Sequence, residues 1–293
     1  MEFFIRVFLL CMLELAARIS HVAANPVSFN QGFDKLFGDQ NVVTLDPAGK
    51  SVRISLDKFS GSGFISREKY FYSKFSAAIK LAPGYTAGVV ATFYTSNCQI
   101  YPNTHDELDI EFLRHVDGKC WIVQTNLYGN GSVTKGREER YRLWFDPSED
   151  FHYYTILWSK KWTVFYVDNI PIREIPRIEA MGGEYPSKPM SLYGTIWDGS
   201  SWATDGGKSK VNYEDSPFKV TYSDFVLDGC SIDPTQRDSQ NCDNSTSFVT
   251  NFGGLTKEER IKMGSFRAKY LTYSYCDDRK RYPNLLPECA HIP

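Results

Sequence analysis

Between residues 41 and 225 the chain is a succession of short β-forming runs broken by Gly, Pro, Asn and Asp. No other feature narrows its fold as much. The runs fall at 51–56, 71–81, 87–94, 105–113, 120–128, 153–158, 164–167 and 218–226. Several alternate apolar and polar residues with period two, the mark of a strand with one buried face. No strand–helix–strand rhythm and no fixed repeat is present. The expectation is an all-β fold, two antiparallel sheets packed as a sandwich. At 293 residues the chain fits one large β domain. Segments 145–148 and 185–189, rich in Asp, Pro and Ser, read as turns.

The two ends differ from this middle. Residues 3–17 are mostly apolar, with Arg6 near the start and the small residues Val22, Ala23 and Ala24 following. This reads as a signal peptide over 1–24, cleaved before Asn25, and so as secretion. Glu14 inside the apolar run weakens this reading, and a buried first helix is the alternative. At the other end, Thr256 and Glu259 form a capping-box pattern that starts a helix running to about residue 269. Residues 271–275 then alternate like one more strand. The sandwich is expected over 25–226, with 227–293 as an extension stapled onto it by disulfides.

In an oxidising compartment cysteines pair. Cys11 leaves with the signal, and six remain. Cys230 and Cys242 are close in sequence, as are Cys276 and Cys289. Each pair would close a loop of about 13–14 residues. Cys98 and Cys120 are left over, either bridged to each other or buried as thiols. Asn130 and Asn244 head N-glycosylation sequons, which suit a secreted surface. The formal net charge is −2, with no basic stripe, so nucleic acid is not an expected partner. No cofactor motif or zinc spacing is present, and neither a cofactor nor a metal is expected. Beyond the first segment no stretch is long and apolar enough to span a bilayer.

The chemistry concentrates in His105-Asp106-Glu107-Leu108-Asp109-Ile110-Glu111-Phe112-Leu113. On a strand, Leu108, Ile110 and Phe112 point one way, into the core. Glu107, Asp109 and Glu111 point the other way, in a row. As a plain solvated face this is a poor choice, because acids have low strand propensity and repel across one face. As a catalytic row the spacing makes sense. Positions i and i+4 lie about 13 Å apart between Cα atoms. Inward-leaning glutamates bring their carboxyls to roughly 5–6 Å, close to the separation of a retaining glycosidase, about 5–5.5 Å. One attacks the anomeric carbon, and the other protonates the leaving oxygen and later deprotonates the acceptor. Asp109 between them is placed to hold the two in different protonation states. The spacing leaves open which glutamate plays which part. Aromatics make up 15% of residues, more than a core needs, which leaves rings to line a cleft. Trp197 and Trp202, in a Gly/Ser-rich stretch read as a loop, suit the apolar faces of sugars. The amides Gln124 and Asn126 suit sugar hydroxyls.

The same segment resembles the H-D-E-[IL]-D-[FI]-E-F-L signature of plant xyloglucan endotransglucosylase/hydrolases, within the retaining laminarinase- and lichenase-like β-glucanases. Further matches follow in order. They are Gln124-Thr125-Asn126, Gly136-Arg137-Glu138, Leu143 to Pro147, Trp197 with Ser201 to Thr204, Asp228 to Cys230, Tyr275-Cys276, Arg281 to Pro283 and Glu288-Cys289. The resemblance implies a jelly-roll sandwich and assigns Glu107 as nucleophile and Glu111 as acid/base. It implies xyloglucan contacts at Gln124, Thr125, Asn126, Gly136, Arg137, Glu138, Trp197, Ser201, Trp202, Gly206 and Arg281. It also implies the Cys230–Cys242 and Cys276–Cys289 disulfides. Many members carry a sequon directly after the signature. Here 114–118 stands in its place and the nearest sequon is at Asn130, which resembles the third subgroup of the family.

The reading is a secreted cell-wall enzyme, acting as a monomer, that cleaves xyloglucan and transfers it to another xyloglucan chain. Predominant xyloglucan hydrolysis is the alternative, with water as acceptor. A non-catalytic glucan-binding wall protein is a more distant one, disfavoured because binding alone needs no paired glutamates. A calcium-binding structural sandwich is disfavoured because one flat strand face converges too few oxygens.

Overall fold

In the computed structural model of the protein, the described residues are 26–114, 120–232, 242, 249 and 251–292. The expected signal segment and Asn244 lie outside them. Fifteen strands, numbered in chain order, build two antiparallel sheets among these residues.

The eight-stranded sheet runs β1 (Phe33–Phe37), β4 (Ser62–Ser66), β13 (Ser191–Asp198), β6 (Val89–Ser96), β7 (Glu107–Arg114), β8 (Trp121–Tyr128), β9 (Glu139–Arg142) and β15 (Leu271–Ser274). The seven-stranded sheet runs β12 (Ile170–Pro176), β11 (Trp162–Val167), β10 (His152–Trp158), β5 (Lys69–Lys80), β14 (Phe218–Ile232), β3 (Ser51–Leu56) and β2 (Val42–Thr44). The all-β sandwich is as expected. The eight runs read from the sequence correspond to β3, β5, β6, β7, β8, β10, β11 and β14. Strand β14 crosses residue 226, so the backbone passes from sandwich to extension without leaving its sheet.

The core lies between the sheets. Leu108, Ile110 and Phe112 are fully buried on its side of β7. The Phe112 ring meets Tyr154 of β10 edge-on, with centroids 4.6 Å apart. Phe64 of β4 meets Tyr222 of β14 in the same way at 5.1 Å. The Tyr222 hydroxyl donates to the Thr92 carbonyl at 2.8 Å, so a buried polar tip is satisfied across the layers.

The tail helix, Lys257–Tyr270, carries the expected capping box between Thr256 and Glu259. The strand that follows does more than lie on the sandwich surface. It pairs with β9 and forms the edge of the sheet that bears the acidic row. Buried ion pairs fix it there. Glu139 of β9 accepts from Arg267 of the helix at 2.9 Å and lies 3.3 Å from Arg173 of β12. Arg137 pairs with Glu288 near the C-terminus, both fully buried. Fully desolvated ions in such a knot hold only while every partner stays.

The Cys230–Cys242 and Cys276–Cys289 disulfides are formed. Cys98 and Cys120 are not bridged to each other; Cys98 is an exposed thiol, which corrects the expectation of a bridged or buried one, and Cys120 is half-buried. Replacing Cys276 and Cys289 by Ser is expected to cost about 3 kcal/mol, the loop entropy of closing so short a segment. The check is the thermal midpoint with and without the substitutions. An unchanged midpoint would mean that the extension is held by its ion pairs alone.

Candidate active site

The outer face of the eight-stranded sheet bears a cleft of about 410 Å³ lined by Thr92, Tyr94, Glu107, Asp109, Glu111, Gln124, Asn126, Tyr128, Glu138, Thr195, Trp197 and Trp202. It is built by strand parity. On β7 every second side chain, Glu107, Asp109 and Glu111, faces outward. The register places Ser96, Tyr94 and Thr92 of β6 beside these three acids, and Tyr128, Asn126 and Gln124 of β8 on their other side.

Three acids on one buried face cannot all ionise freely. Burial raises the Glu111 carboxyl to about 7; the Gln124 hydrogen bond and the Arg140 charge oppose the rise, while Glu138 and Glu107 add to it. Asp109 is pushed well above the usual carboxylate range by burial and by the charges of Glu107, Glu111 and Glu138. Glu107 is also raised by burial, but a Ser96 hydrogen bond and the charge of His105, 3.9 Å away, oppose this. The two glutamates therefore sit in unlike surroundings, one beside an amide and the other beside a hydroxyl and an imidazole. Such unlikeness separates an acid from a nucleophile.

The amides on β8 are locked. Gln124 donates to Glu111 and accepts from Arg140 Nε at 2.7 Å. Asn126 Oδ1 accepts from the backbone N–H groups of Leu127 (2.9 Å) and Arg137 (2.8 Å). Glu138 reaches the cleft from the segment before β9 and pairs with Arg281 at 2.5 Å. Arg281 also flanks Gly136, whose carbonyl accepts from the Tyr282 hydroxyl at 2.6 Å. The rings of Trp197 and Trp202 stand 6.1 Å apart at one wall. Trp202 is held in a loop where Gly207 has φ +83, and a side chain there would meet the Ser201 carbonyl at 2.2 Å. Ser201 and Gly206 are exposed on this same loop.

Three expectations need correction. The Thr125 side chain faces the core, where its hydroxyl accepts from Arg173 at 2.9 Å. Alternation alone sends it there, since Gln124 and Asn126 face out. The Arg137 side chain is likewise inside, bound to Glu184 and Glu288, and only its backbone N–H serves the cleft, through Asn126. Trp197 is on β13 rather than in a loop.

Other residues were given no role by the sequence reading, although Asp106 lies within the signature segment. Tyr94, Thr92 and Tyr128 line the cleft, and period-two parity from the acidic row and the amides would have found Tyr128. Asp106 is completely buried and accepts from the backbone of Asn130 (2.7 Å), Ser187 (2.8 Å) and Lys188 (2.8 Å), and from Lys188 Nζ at 2.8 Å. It anchors the residue before β7 to two loops. The signature includes Asp106 but not this role, because its partners lie up to 82 positions away. Asn130 is exposed, as a sequon asparagine must be to accept a glycan. Among the described residues no cluster of His, Cys, Asp and Glu could hold a metal, and no helix is long and apolar enough to cross a membrane.

A two-sheet sandwich with paired carboxylates, amides and indole rings across one open face defines a carbohydrate-active enzyme. Residues 29–215 match the family model of glycosyl hydrolases family 16, and residues 243–289 match that of the xyloglucan endo-transglycosylase C-terminus. The Arabidopsis thaliana protein named probable xyloglucan endotransglucosylase/hydrolase protein 30 is 50% identical over 292 residues, covering 99% of this chain and 84% of its own. Xyloglucan endotransglucosylase/hydrolase protein 2 of the same plant is 41% identical over 266 residues, covering 90% of this chain and 89% of its own. Solved structures share the fold. A β-1,3-1,4-glucanase (lichenase) from a mouse hindgut metagenome superimposes with a TM-score of 0.55 at 24% identity, over 71% of this chain and 98% of that one. The chain belongs to glycosyl hydrolases family 16 and, within it, to the xyloglucan endotransglucosylase/hydrolase family.

Proposed function

We propose that this protein cleaves the β-1,4-glucan backbone of xyloglucan with retention and transfers the new end to another xyloglucan chain, in the plant cell wall after secretion. The observation that carries the reading is the acidic row, in which burial raises both glutamates but sets Glu111, raised to about 7, against an amide and Glu107 against a hydroxyl and an imidazole. Glu107 attacks the anomeric carbon as Glu111 gives its proton to the departing glucan oxygen. The chain is then held as an ester on Glu107. Glu111, now ionised, takes the proton of an acceptor 4-hydroxyl as that oxygen displaces Glu107. Asp109, pushed toward its neutral form, lies between the two and limits the negative charge that they share. The indoles of Trp197 and Trp202 give apolar sugar faces a platform. Gln124, Asn126, Glu138 and Arg281 offer hydrogen bonds to hydroxyls.

The test is incubation of purified protein with xyloglucan and a labelled xyloglucan oligosaccharide. Label entering polymer with few new reducing ends supports transfer. Reducing ends that rise whatever the acceptor would replace transfer by hydrolysis with the same residue roles. Neither change, from folded protein, would sink the substrate reading.

A pH dependence follows. Because Glu111 must hold its proton in the first step, formation of the glycosyl-enzyme should fall as pH rises through about 7. Single-turnover rates between pH 5 and 9 measure this. A flat profile across that range would assign the acid to another group.

A further inference from the structure

We propose that Arg140 is a positioning residue through which the C-terminal extension fixes the orientation of the Gln124 amide against Glu111. The inference rests on the reading of Glu111 as the acid/base.

Arginine has donors and no acceptor. The Gln124 atom that meets Arg140 Nε at 2.7 Å must therefore be the carbonyl oxygen. This leaves the amide NH₂ to face Glu111, to which it donates. Were the amide turned over, it would present a carbonyl to Glu111. A carbonyl can accept a hydrogen bond from the neutral acid but repels the carboxylate. Arg140 thus selects the orientation that supports the ionised form of Glu111, which the second step uses as base.

Arg140 is itself held by the extension. β15 places Tyr273 opposite Arg140 in register, and the Tyr273 ring lies 5.0 Å from the guanidinium carbon. The Thr272 hydroxyl donates to the Arg140 carbonyl at 3.0 Å. The far end of the Tyr273 ring is tied down by its hydroxyl, which donates to Asp278 at 2.9 Å. The edge strand contributed by the tail thereby reaches the catalytic row through one guanidinium and one amide.

The other charged groups around Glu111 are Glu107 and Asp109 on its own strand and Glu138 from the segment before β9, the last neutralised in part by Arg281. Arg140 and Arg281 face this acidic cluster, with His105 beside Glu107, and among the described residues Arg140 is the one of these three that touches the amide that touches Glu111. Thr92 faces it from β6 and brings no charge.

The experiment compares pH profiles of kcat/KM for wild type, Arg140→Met, Arg140→Lys, Tyr273→Leu and Glu111→Ala. The donor is a xyloglucan oligosaccharide with an activated aryl leaving group, so that the acid-deficient variant still reacts. In Arg140→Met the alkaline limb should move up by about one pH unit, and acceptor-dependent turnover at neutral pH should fall about tenfold. Arg140→Lys, which keeps a donor, should restore part of both. Tyr273→Leu should shift the limb in the same direction by less. An unmoved limb in Arg140→Met, with only the acceptor KM changed, would make Arg140 an acceptor contact and overturn the proposal. Should that variant fail to fold, an unmoved limb in Arg140→Lys and Tyr273→Leu overturns it equally. Glu111→Ala separates the two readings. A wild-type limb surviving there belongs to another group and defeats the acid/base assignment. A limb lost there but unmoved in the Arg140 and Tyr273 variants defeats only the positioning role.

Discussion

Glu107→Gln is expected to lower kcat by roughly 10⁴-fold or more while leaving xyloglucan affinity within about threefold. The substitution keeps the shape of the side chain and its place beside Ser96 and His105, and it removes the electron pair that forms the glycosyl ester. Nothing nearby can replace it. Asp109, the neighbouring carboxyl on the same face, is buried and pushed toward its neutral form, so it makes a poor nucleophile. Among the described residues, the polar groups of the cleft walls bond elsewhere: Gln124 to Glu111 and Arg140, Asn126 to Leu127 and Arg137, and Glu138 to Arg281. Turnover with labelled acceptor and affinity by titration calorimetry read the two quantities separately. A variant that kept more than about 1% of turnover would return the nucleophile to Glu111 or to water, and a glucan-binding protein would show no activity to lose.

The second large effect is on stability and lies far from any sugar. Glu139→Gln should cost about 3–5 kcal/mol, because it leaves Arg267 and Arg173 inside the protein without the charge that compensates them. Burial by itself would raise the Glu139 carboxyl. Arg173 and Arg267 outweigh that and hold it below the usual range. A carboxyl depressed in the folded state contributes stability above its unfolded pKa and loses it as pH falls through the folded value. The variant and the wild type should therefore differ most at neutral pH and converge in acid. For a chain of this size the thermal midpoint should drop by about 10 °C. Calorimetry at pH 7 and pH 3 provides the check. Equal midpoints at pH 7 would mean that the helix and β15 are held by packing rather than by the buried ions.

How much of this was legible in the sequence depends on the range of the interaction. The acidic row was legible, because strand parity is local and three acids separated by three apolar residues admit few other readings. The tail helix was legible to within a residue at its start, because a capping box is also local. Thr125 follows the same parity, since alternation alone sends it inward between Gln124 and Asn126. Trp197 was misread because glycine and serine follow it, whereas its strand is stabilised by pairing with residues about a hundred positions earlier. Strands β1, β2, β4, β9, β12 and β13 went unread because most are short or lack clean alternation, and pairing supplies what propensity does not.

The sequence by itself determined the class of fold, the chemistry of the catalytic strand and the face that each of its side chains takes, since these follow from backbone periodicity. Only the tertiary structure decided that Arg137 is an internal ion rather than a sugar contact, that Asp106 clamps the start of the catalytic strand, and that the C-terminal extension becomes an edge strand of the catalytic sheet with Tyr273 beside Arg140. Each of these depends on partners 24 to 151 positions away. A buried charge is stable only where the chain brings its counter-charge, and no local pattern records which distant residue that will be.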